Sequence, residues 1–430
     1  MSTAKEMKED LLQYIWKFQL FNRSELECTN GDKITIIQPG NHNTNQGPDF
    51  LQGKIKIGNT TWVGNIEIHI NSSHWNQHEH SNDPNYQNVI LHVVWNHDID
   101  IKDKSGSNLP TIELQSRVSN ILMEKYRLLM QNPVFIPCED QVESVDNLII
   151  ENWKQRLAAE RLFNKSERVL AVFKDTGLHW EETFWQLIAA NFGLKINSDF
   201  FHSIAQSLPL SILYKHRHNI IQVESLLMGQ AGLLNQILND KYASMLVKEY
   251  AFYQKKYSLE PIKGQLSFLR MRPANFPTIR LAQLSMLLVK SEHLFSVIKE
   301  TESVEEVRKL LKVSANDYWH YHYVFDSESG YKIKELGKQM IDNIVINTII
   351  PILFAYGLYH NEEKFKEKAI DWLQQISPEK NTITKGFENI GFENKNALDS
   401  QSFLHLKKEY CDEKRCLECA IGNSILKKEL

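Results

Sequence analysis

The sequence predicts an α+β protein in which a small mixed sheet with flanking helices precedes an all-α body. Short Ile- and Val-rich segments separated by Gly, Asn and Pro fill the first 115 residues, and helical spacing of apolar residues then continues to about residue 375. The 430 residues, 42% of them hydrophobic and 24% charged, suffice for two or three globular domains. We therefore predict an α/β domain over residues 1–132, an α-helical domain over 133–376, and a C-terminal loop, helix and cysteine motif over 377–430.

The first domain is predicted to open with an amphipathic helix and to continue with five strands. Apolar residues at helical spacing predict the helix over Lys5 to Phe21. Short apolar runs bounded by turn residues predict the strands. These are Lys33 to Gln38, Gly53 to Ile57, Thr61 to Ile70, Asn88 to Trp95 and Thr111 to Leu114.

The second domain shows helical periodicity almost throughout. Pro133 to Pro137 predicts the linker that precedes it, and the polar, Asn- and Lys-rich stretch Ser377 to Asp399 predicts a surface loop after it. The clearest predicted helices are Leu148 to Phe173, Glu182 to Phe192, Val223 to Leu238, Tyr242 to Tyr257 and Leu281 to Val289.

Charge and hydropathy limit the classes of partner. A net charge of −4 gives no global basic field, so nucleic-acid binding would need a local patch. The first ten residues are acidic rather than basic, and the most apolar stretch, Ile344 to Leu358, is shorter than the roughly 18 residues of a membrane span and is broken by Asn347 and Pro351. We expect a cytoplasmic protein without a membrane partner.

Histidines and acids are concentrated near the N-terminus, where seven of the 16 histidines lie within the first 100 residues. Because side chains alternate along a strand, Glu67 and His69 share one face of the strand Thr61 to Ile70. A Gly-Pro turn delivers Asp49 to the start of the preceding strand, where its carboxylate can meet Glu67 across the sheet and bind a hard cation. We predict Asp49, Glu67 and His69 as the catalytic residues, although Asp49 can equally cap its turn.

The segment Pro48-Asp49, followed eighteen residues later by Glu67-Ile68-His69, resembles the motif of the PD-(D/E)xK nucleases. That resemblance implies a restriction-endonuclease-like fold for about 115 residues, two acids that hold Mg²⁺ or Mn²⁺, and a Lys that helps to activate water for phosphodiester hydrolysis. His69 stands where Lys is expected, and an imidazole supplies a base or a ligand but no fixed positive charge. Lys54 or Lys56 on the intervening strand is the alternative source of an ammonium group.

A second group of imidazoles follows the Glu67 strand. His78 and His80 lie in a polar turn-rich segment, and His92 lies in the next apolar strand. Imidazoles suit a softer metal such as Zn²⁺, and the His-x-His pair with a following acid resembles cupin metal sites. His92 has the alternative role of a hydrogen-bonded core histidine. The predicted metal ligands are Asp49, Glu67, His69, His78, His80 and His92.

The C-terminal cysteines predict a second centre. Cys411, Cys416 and Cys419 have the C-x₄-C-x₂-C spacing of three of the four ligands of a plant-type iron–sulfur cluster. Cys138 is the first candidate for the fourth ligand and Cys28 the second. A structural zinc site, or simple packing of a last helix, are the alternatives.

A Pro-bounded loop leading into a helix carries three arginines, Arg270, Arg272 and Arg280. Arginines beside a helix N-terminus suit a phosphate, which makes this loop the candidate nucleic-acid contact. The alternative is a rigid interhelical turn whose arginines pair with acids.

Over nearly its whole length the chain resembles an uncharacterised bacterial family known only as a domain of unknown function, and that resemblance implies no activity. It rests on Gly47-Pro48-Asp49-Phe50, Trp62-Val63-Gly64-Asn65-Ile66-Glu67-Ile68-His69, Arg272-Pro273-Ala274-Asn275-Phe276-Pro277 and the terminal cysteines. The predicted function is a metal-dependent nuclease-like protein that hydrolyses phosphodiester bonds of DNA or RNA. A catalytically inactive nucleic-acid-binding or scaffold protein, and a His-rich cupin-like metal hydrolase acting on a small molecule, remain the alternatives.

Overall fold

The structure, a computed structural model, describes residues 7–43, 45–103, 106–131 and 135–428. It divides into two compact units, the first formed by Met1–Trp153 with Leu406–Leu430 and the second by Lys154–His405. The sequence analysis divided the chain into three consecutive segments instead. The difference arises because the last helix buries its apolar residues in the first unit, a long-range contact that sequence spacing does not reveal. The first half of the predicted 133–137 linker and the start of the predicted first helix lie outside the described residues.

The first unit contains a mixed sheet with the strand order β1-β3-β4-β5-β6, and β2 pairs with β3. The pairs among β1 to β4 are antiparallel, whereas β4 with β5 and β5 with β6 are parallel. The predicted small mixed sheet is therefore confirmed. The elements are α1 (Glu9–Phe18), β1 (Ile34–Gln38), β2 (Asn41–His42), β3 (Phe50–Ile57), β4 (Thr60–Asn71), α2 (His74–Gln77), β5 (Val89–Asn96), β6 (Thr111–Glu113) and α3 (Asn120–Gln131), with short 3₁₀ helices at His80–Asn82, Pro84–Tyr86 and Glu139–Ser144.

Helix α1 packs on β4 through its apolar face. Leu11, Leu12, Ile15 and Trp16 are fully buried, as helical spacing predicts. The helix is capped by Gln19, which has a left-handed backbone (φ 55°). Its N–H donates a hydrogen bond to the last turn of the helix. This packing sets the N-terminal turn of α1 beside the sheet.

The start of β3 is irregular, with a register shift between Phe50 and Gly53 and a left-handed Gln52 (φ 59°). A bulge of this kind bends a strand and redirects its side chains. Beside it Gly64 permits close strand approach, since a Cβ there would lie 2.4 Å from Ile90 Cγ2 and 2.6 Å from Asn88 O. The irregularity places Asp49, one residue before β3, against β4.

The second unit is helical apart from a two-stranded hairpin, which confirms the predicted helical body. Its core is built from buried side chains of nearly every helix. The elements are α4 (Asn147–Asp175), which contains the unit boundary, α5 (Trp180–Phe192), α6 (Leu194–Ser207), α7 (Leu210–His216), α8 (Ile220–Gln230), α9 (Lys241–Tyr257), α10 (Pro277–Lys290), α11 (Leu294–Glu300), α12 (Val304–Leu311), α13 (Asp317–His320), β7 (His322–Val324), β8 (Ser327–Glu328), α14 (Lys338–Ile344), α15 (Ile350–His360), α16 (Glu363–Gln375), α17 (Thr382–Asn389) and α18 (Ala397–His405).

The prediction of one continuous surface loop at 377–399 is wrong, because α17 and the start of α18 lie within it. The Asn381 side chain caps α17 by accepting hydrogen bonds from Ile383 N and Thr384 N. The Asn381 N–H in turn donates to Thr384 Oγ1. A polar composition thus concealed a well-capped helix. The segment after α18 continues as a π-helix, Leu406–Cys411, and the chain ends with α19 (Ala420–Lys427).

A run of helix from Lys338 to His360, made of α14, a π-helical turn and α15, is long and apolar enough by composition to cross a membrane. Its most apolar window is 72% buried within the protein. This degree of burial is typical of a core helix.

Candidate metal centre

Two carboxylates that are distant in sequence meet where β3 begins beside β4. The Asp49 N–H donates to Glu67 Oε2 at 3.1 Å, and the Ile68 N–H donates to Asp49 Oδ2 at 3.0 Å. Gln13 Nε2 on α1 donates to Asp49 Oδ1 at 2.9 Å. These bonds fix both acids and leave Glu67 Oε1 facing the histidines.

Two imidazoles lie beside that oxygen, and a third lies beside one of these two. Glu67 Oε1 lies 3.6 Å from His69 Nε2 and 3.5 Å from His80 Nε2, while His69 Nε2 lies 3.2 Å from His78 Nδ1. Ligand atoms about 2.1 Å from a tetrahedral ion lie about 3.4 Å from one another, so these separations match the edges of a metal's coordination shell. One atom each from His69, His78 and His80 lies within 4.8 Å of the others.

A second observation also fits a metal ion. The cluster contains a buried ligand atom that has no hydrogen-bond partner. Within the described part of the chain, His80 Nε2 is buried and makes no hydrogen bond. Buried polar atoms of this kind cost free energy unless a partner satisfies them. A cation between Glu67 and His80 satisfies both atoms.

His92 lies behind His69 rather than in the shell itself. The register of the parallel pair sets His92 on β5 opposite Glu67 on β4, and His92 Nε2 lies 2.9 Å from His69 Nδ1. If His69 Nδ1 carries the proton and donates it to His92, His69 Nε2 presents its lone pair to the cluster. We therefore assign His92 to orienting His69, and both rings are completely buried.

Burial and repulsion by neighbouring acids keep Glu67 protonated at neutral pH, and Asp49 about half protonated, when no cation is bound. Burial, and then the charge of Glu9, raises the pKa of Asp49 to about 7. Burial, and then the charge of Asp49, raises the pKa of Glu67 to about 9. Two carboxyl groups held together in this way are typical of functional sites and favour a bound cation.

The pKa values of the buried histidines are shifted in the opposite direction, downwards. Burial, followed by the neighbouring imidazoles, lowers the pKa of His92 to about 3, and burial followed by His78 lowers the pKa of His80 to about 4. The same causes lower the pKa of His69 still further. The rings are therefore neutral at physiological pH, which is the form that binds metal.

Glu9 and Gln13 on α1 belong to this site and were missed by the sequence analysis. They lie one helical turn apart and so share a face. Gln13 holds Asp49, and Glu9 acts electrostatically on both Asp49 and Glu67 and on His78. The available signal was a pair of polar residues one turn apart on an amphipathic helix, which is also the pattern of an ordinary surface stripe.

A turn anchored by Asp98 positions the segment that carries His74, His78 and His80. Ser72 Oγ and Ser73 N donate to Asp98 Oδ1 at 2.8 and 2.9 Å. Beside this segment a cavity of about 300 Å³ is lined by His80 together with aromatic and polar side chains. The other lining residues are Trp75, Ser81, Tyr86, Gln87, Val89, Asp103 and Leu109.

The lysines proposed as alternatives to the missing ammonium do not contribute to this cluster. Lys54 and Lys56 are exposed on β3, and the charges that raise the pKa of Asp49 and Glu67 are those of other acids. His97 pairs with Asp100 at 3.1 Å. The positive charge that the resemblance requires would have to come from a bound cation.

The three arginines of the predicted loop lie in two different environments. Arg270 and Arg272 are exposed, but Arg280 is buried and donates to Gln283 and Asn275. The prediction that Arg280 contacts nucleic acid is therefore wrong, because its position one turn into α10 faces the core. Arg270 and Arg272 remain candidates.

The four predicted cysteine ligands all lie in the first unit. Cys138 immediately precedes the 3₁₀ helix Glu139–Ser144, and Cys419 immediately precedes α19. Cys411 ends the π-helix, so the three C-terminal cysteines do not lie on one helix, and the packing alternative is wrong in that respect.

Fold and cluster together define an α+β protein with a candidate metal centre of acids and imidazoles on its mixed sheet. The chain belongs to the family described as "Protein of unknown function (DUF2851)", which matches residues 9–382. The matched range contains every member of the cluster, whereas Cys411, Cys416 and Cys419 lie beyond it. No curated protein and no solved structure matches the chain.

Proposed function

We propose that the first unit is a metal-dependent hydrolase of phosphodiester bonds in nucleic acid. The observation that carries this proposal is the proximity of Glu67 Oε1 to the Nε2 atoms of His69 and His80, with Asp49 held beside Glu67 by the hydrogen bond from its backbone N–H. The order of an N-terminal helix, an antiparallel strand pair with an acid on each strand, and then parallel strands supports the resemblance to PD-(D/E)xK nucleases.

The ligand set favours Mn²⁺ or Zn²⁺ over Mg²⁺. Imidazole nitrogens bind Mn²⁺, Zn²⁺ and similar ions readily, whereas Mg²⁺ prefers oxygen alone. Such an ion, when bound, polarises a phosphoryl oxygen and lowers the pKa of water. Glu67, His69 and His80 would hold it, and Asp49 would add a carboxylate oxygen or anchor Glu67.

The remaining groups suit proton transfer at the open side of the cluster. His78 is exposed, and its Nδ1 lies 3.2 Å from His69 Nε2. It is therefore the imidazole best placed to exchange a proton with solvent or with a leaving group. Since no lysine contributes to the cluster's electrostatics, His78 takes the acid–base role in this proposal.

The cavity beside His80 suits a single nucleotide better than a duplex. Its volume of about 300 Å³ is at the lower end of ligand sites. Tyr86 stacks on the His80 ring at a centroid distance of 3.8 Å, and Trp75 meets that ring edge-on. Aromatic surfaces next to a metal centre suit an unstacked base, so we infer a single-stranded substrate.

The alternative of a small-molecule metal hydrolase is compatible with the same ligands, but the cupin fold suggested for it is not present. Cupins are antiparallel jelly rolls, whereas β4, β5 and β6 are parallel here.

The free thiols agree with the reducing cytoplasm that we propose as the protein's compartment.

The test is cleavage of labelled single- and double-stranded DNA and RNA by chelator-treated protein to which Mn²⁺, Zn²⁺ or Mg²⁺ is added. We expect cleavage of a single-stranded substrate with Mn²⁺ or Zn²⁺, and its loss in Glu67→Gln. Glu25→Gln, an exposed residue of the same unit, is the matched control and should cleave normally.

Other outcomes decide against the proposal. Binding of nucleic acid without cleavage by any of the three ions favours the binding or scaffold alternative, and Arg270→Ala with Arg272→Ala then tests the exposed loop. Hydrolysis of bis-p-nitrophenyl phosphate without cleavage of any nucleic acid favours a small-molecule substrate. Equal cleavage by wild type and Glu67→Gln indicates a contaminating nuclease.

A further inference from the structure

Four of the chain's five cysteines gather in one region of the first unit although the first and last are separated by most of the sequence. None of the five forms a disulfide, and Cys138, Cys416 and Cys419 are buried. The 3₁₀ helix that follows Cys138 contacts α19, which follows Cys419. Each of these two cysteines therefore stands at the start of one of two touching helical segments.

The loop between Cys411 and Cys419 is held in one conformation. It begins at a π-helical turn, a feature that often marks a functional site. Lys414 adopts a left-handed backbone (φ 52°), and its N–H donates to Cys411 O. Gly422 is required at its position, since a Cβ there would lie 2.3 Å from Cys416 O. The backbone that carries the three C-terminal cysteines is thus closely constrained.

Polar groups around Cys419 offset part of the effect of burial on its thiol. The N–H groups of Ile421 and Gly422, in the first turn of α19, and the Trp153 side chain hydrogen-bond to the Cys419 sulfur, although burial raises its pKa overall. Backbone N–H groups directed at sulfur tune thiolates that hold metal centres. Packing of an uncharged cysteine requires no such donors.

The thiols act on one another electrostatically. Burial raises the pKa of Cys138 most, and Cys419 and Cys416 raise it further; burial followed by Cys419, Cys138 and Cys416 raises that of Cys411. The pKa of Cys28 is raised by burial and Asp32 instead. The four cysteines are therefore mutual neighbours, and Cys28 is not among them.

The spacing of the sulfurs distinguishes between two kinds of centre. Sulfurs bound to one zinc at about 2.3 Å lie about 3.8 Å from one another. Within the described part of the chain no three cysteine sulfurs lie within 4.8 Å of one another, whereas the histidine ligands do. The cysteine sulfurs are therefore spaced more widely than a single zinc ion requires.

We propose that Cys138, Cys411, Cys416 and Cys419 hold an iron–sulfur cluster that ties the C-terminal segment to the first unit. Four thiolates are the ligand set of [2Fe–2S] and [4Fe–4S] clusters, and the 411–419 spacing agrees with it. The cluster closes a loop of more than 250 residues between Cys138 and Cys411, so its loss should loosen residues 406–428.

The test is anaerobic purification of the full chain, with iron and acid-labile sulfide measured per chain and the spectrum recorded before and after dithionite. We expect a brown protein with equal iron and sulfide and an absorbance near 400 nm that falls on reduction. Cys416→Ser should lose most of the iron and expose the C-terminal segment to limited proteolysis, whereas Cys28→Ser, the matched control, should retain both properties.

Cys411→Ser should disturb folding less than Cys416→Ser, because Cys411 is only half-buried. It should retain a cluster with an altered electron paramagnetic resonance spectrum, as expected when one ligand changes. One zinc per chain without iron, or a wild type that takes up neither iron nor sulfide on anaerobic reconstitution, would overturn the proposal. Equal iron loss in Cys28→Ser would overturn it as well.

Discussion

Glu67→Gln is predicted to stabilise the metal-free protein at neutral and alkaline pH. In the folded state burial and the charge of Asp49 raise the pKa of Glu67 from 4.5 to about 9. A group with a raised folded-state pKa contributes stability that is present below its unfolded pKa and is lost as pH rises toward the folded value. The metal-free wild type should therefore lose stability between pH 5 and pH 8, and Asp49, raised to about 7, adds to that loss.

The size of the effect follows from the shift. A pH of 7 lies about 2.5 units above the pKa of Glu67 in the unfolded state. Holding the carboxyl protonated across that interval costs the folded state about 3 kcal/mol of stability as an upper limit. Gln keeps an oxygen that accepts from the Asp49 N–H at the position of Oε2 but carries no charge. We expect a gain of about 1 to 3 kcal/mol, or about 2 to 4 °C per kcal/mol for a unit of this size.

The assay is thermal unfolding of chelator-treated wild type and Glu67→Gln from pH 5 to pH 8, repeated with saturating Mn²⁺. The variant should match wild type at pH 5, exceed it at pH 8, and gain less from Mn²⁺, so that the order of stability reverses with metal. A Glu67→Gln variant that is less stable than wild type at pH 8 without metal would refute the reasoning. Glu25→Gln should follow the wild-type curve.

Three further predictions concern the supporting residues. His92→Ala should weaken Mn²⁺ or Zn²⁺ binding about 10- to 100-fold, because His69 loses the group that sets its tautomer; unchanged affinity by calorimetry would contradict that role. Asp98→Asn should weaken metal binding and loosen the turn at Ser72, measured as faster amide exchange there, since both hydrogen bonds to its carboxylate weaken. Gly64→Ala should cost about 1 to 3 kcal/mol by forcing β4 from β5, whereas Gly330→Ala, with nothing within 4 Å of an added Cβ, should unfold like wild type.

The parts of the fold that depend on local periodicity were predictable from the sequence. Helix α1, strands β1 and β3 to β6, and most helices of the second unit fall where apolar spacing places them. Helix α17 was missed because it is short and lies in a polar segment, and the start of α18 was missed because its buried residues are largely polar. The return of residues 406–430 to the first unit depends on tertiary packing that no local pattern encodes.

The candidate site was predictable where alternation along one strand governs it. Glu67 and His69 share a face of β4 as expected, and Asp49 reaches them through the bulge at the start of β3. Glu67 and His69 are 4% and 0% exposed, so this face of β4 is buried. Burial comes from α1 and from the segment after β4, whose positions a strand pattern does not give.

Glu9, Gln13 and the role of His92 depend on how the helix and the neighbouring strand are placed on β4. Parallel pairing sets His92 opposite Glu67, and helix packing brings Glu9 near both acids. Strand register and helix docking are properties of the assembled unit. A single sequence therefore identifies the centre of the site more readily than its supporting residues.

The central claim is that Glu67, His69 and His80 hold one divalent ion. The most direct measurement is an anomalous difference map from a crystal of the protein grown or soaked with Zn²⁺ or Mn²⁺. A single strong peak within about 2.2 Å of Glu67 Oε1 and of the Nε2 atoms of His69 and His80 is the predicted result. A saturated crystal with no peak among these three side chains, or with its ions bound only elsewhere, would contradict the account.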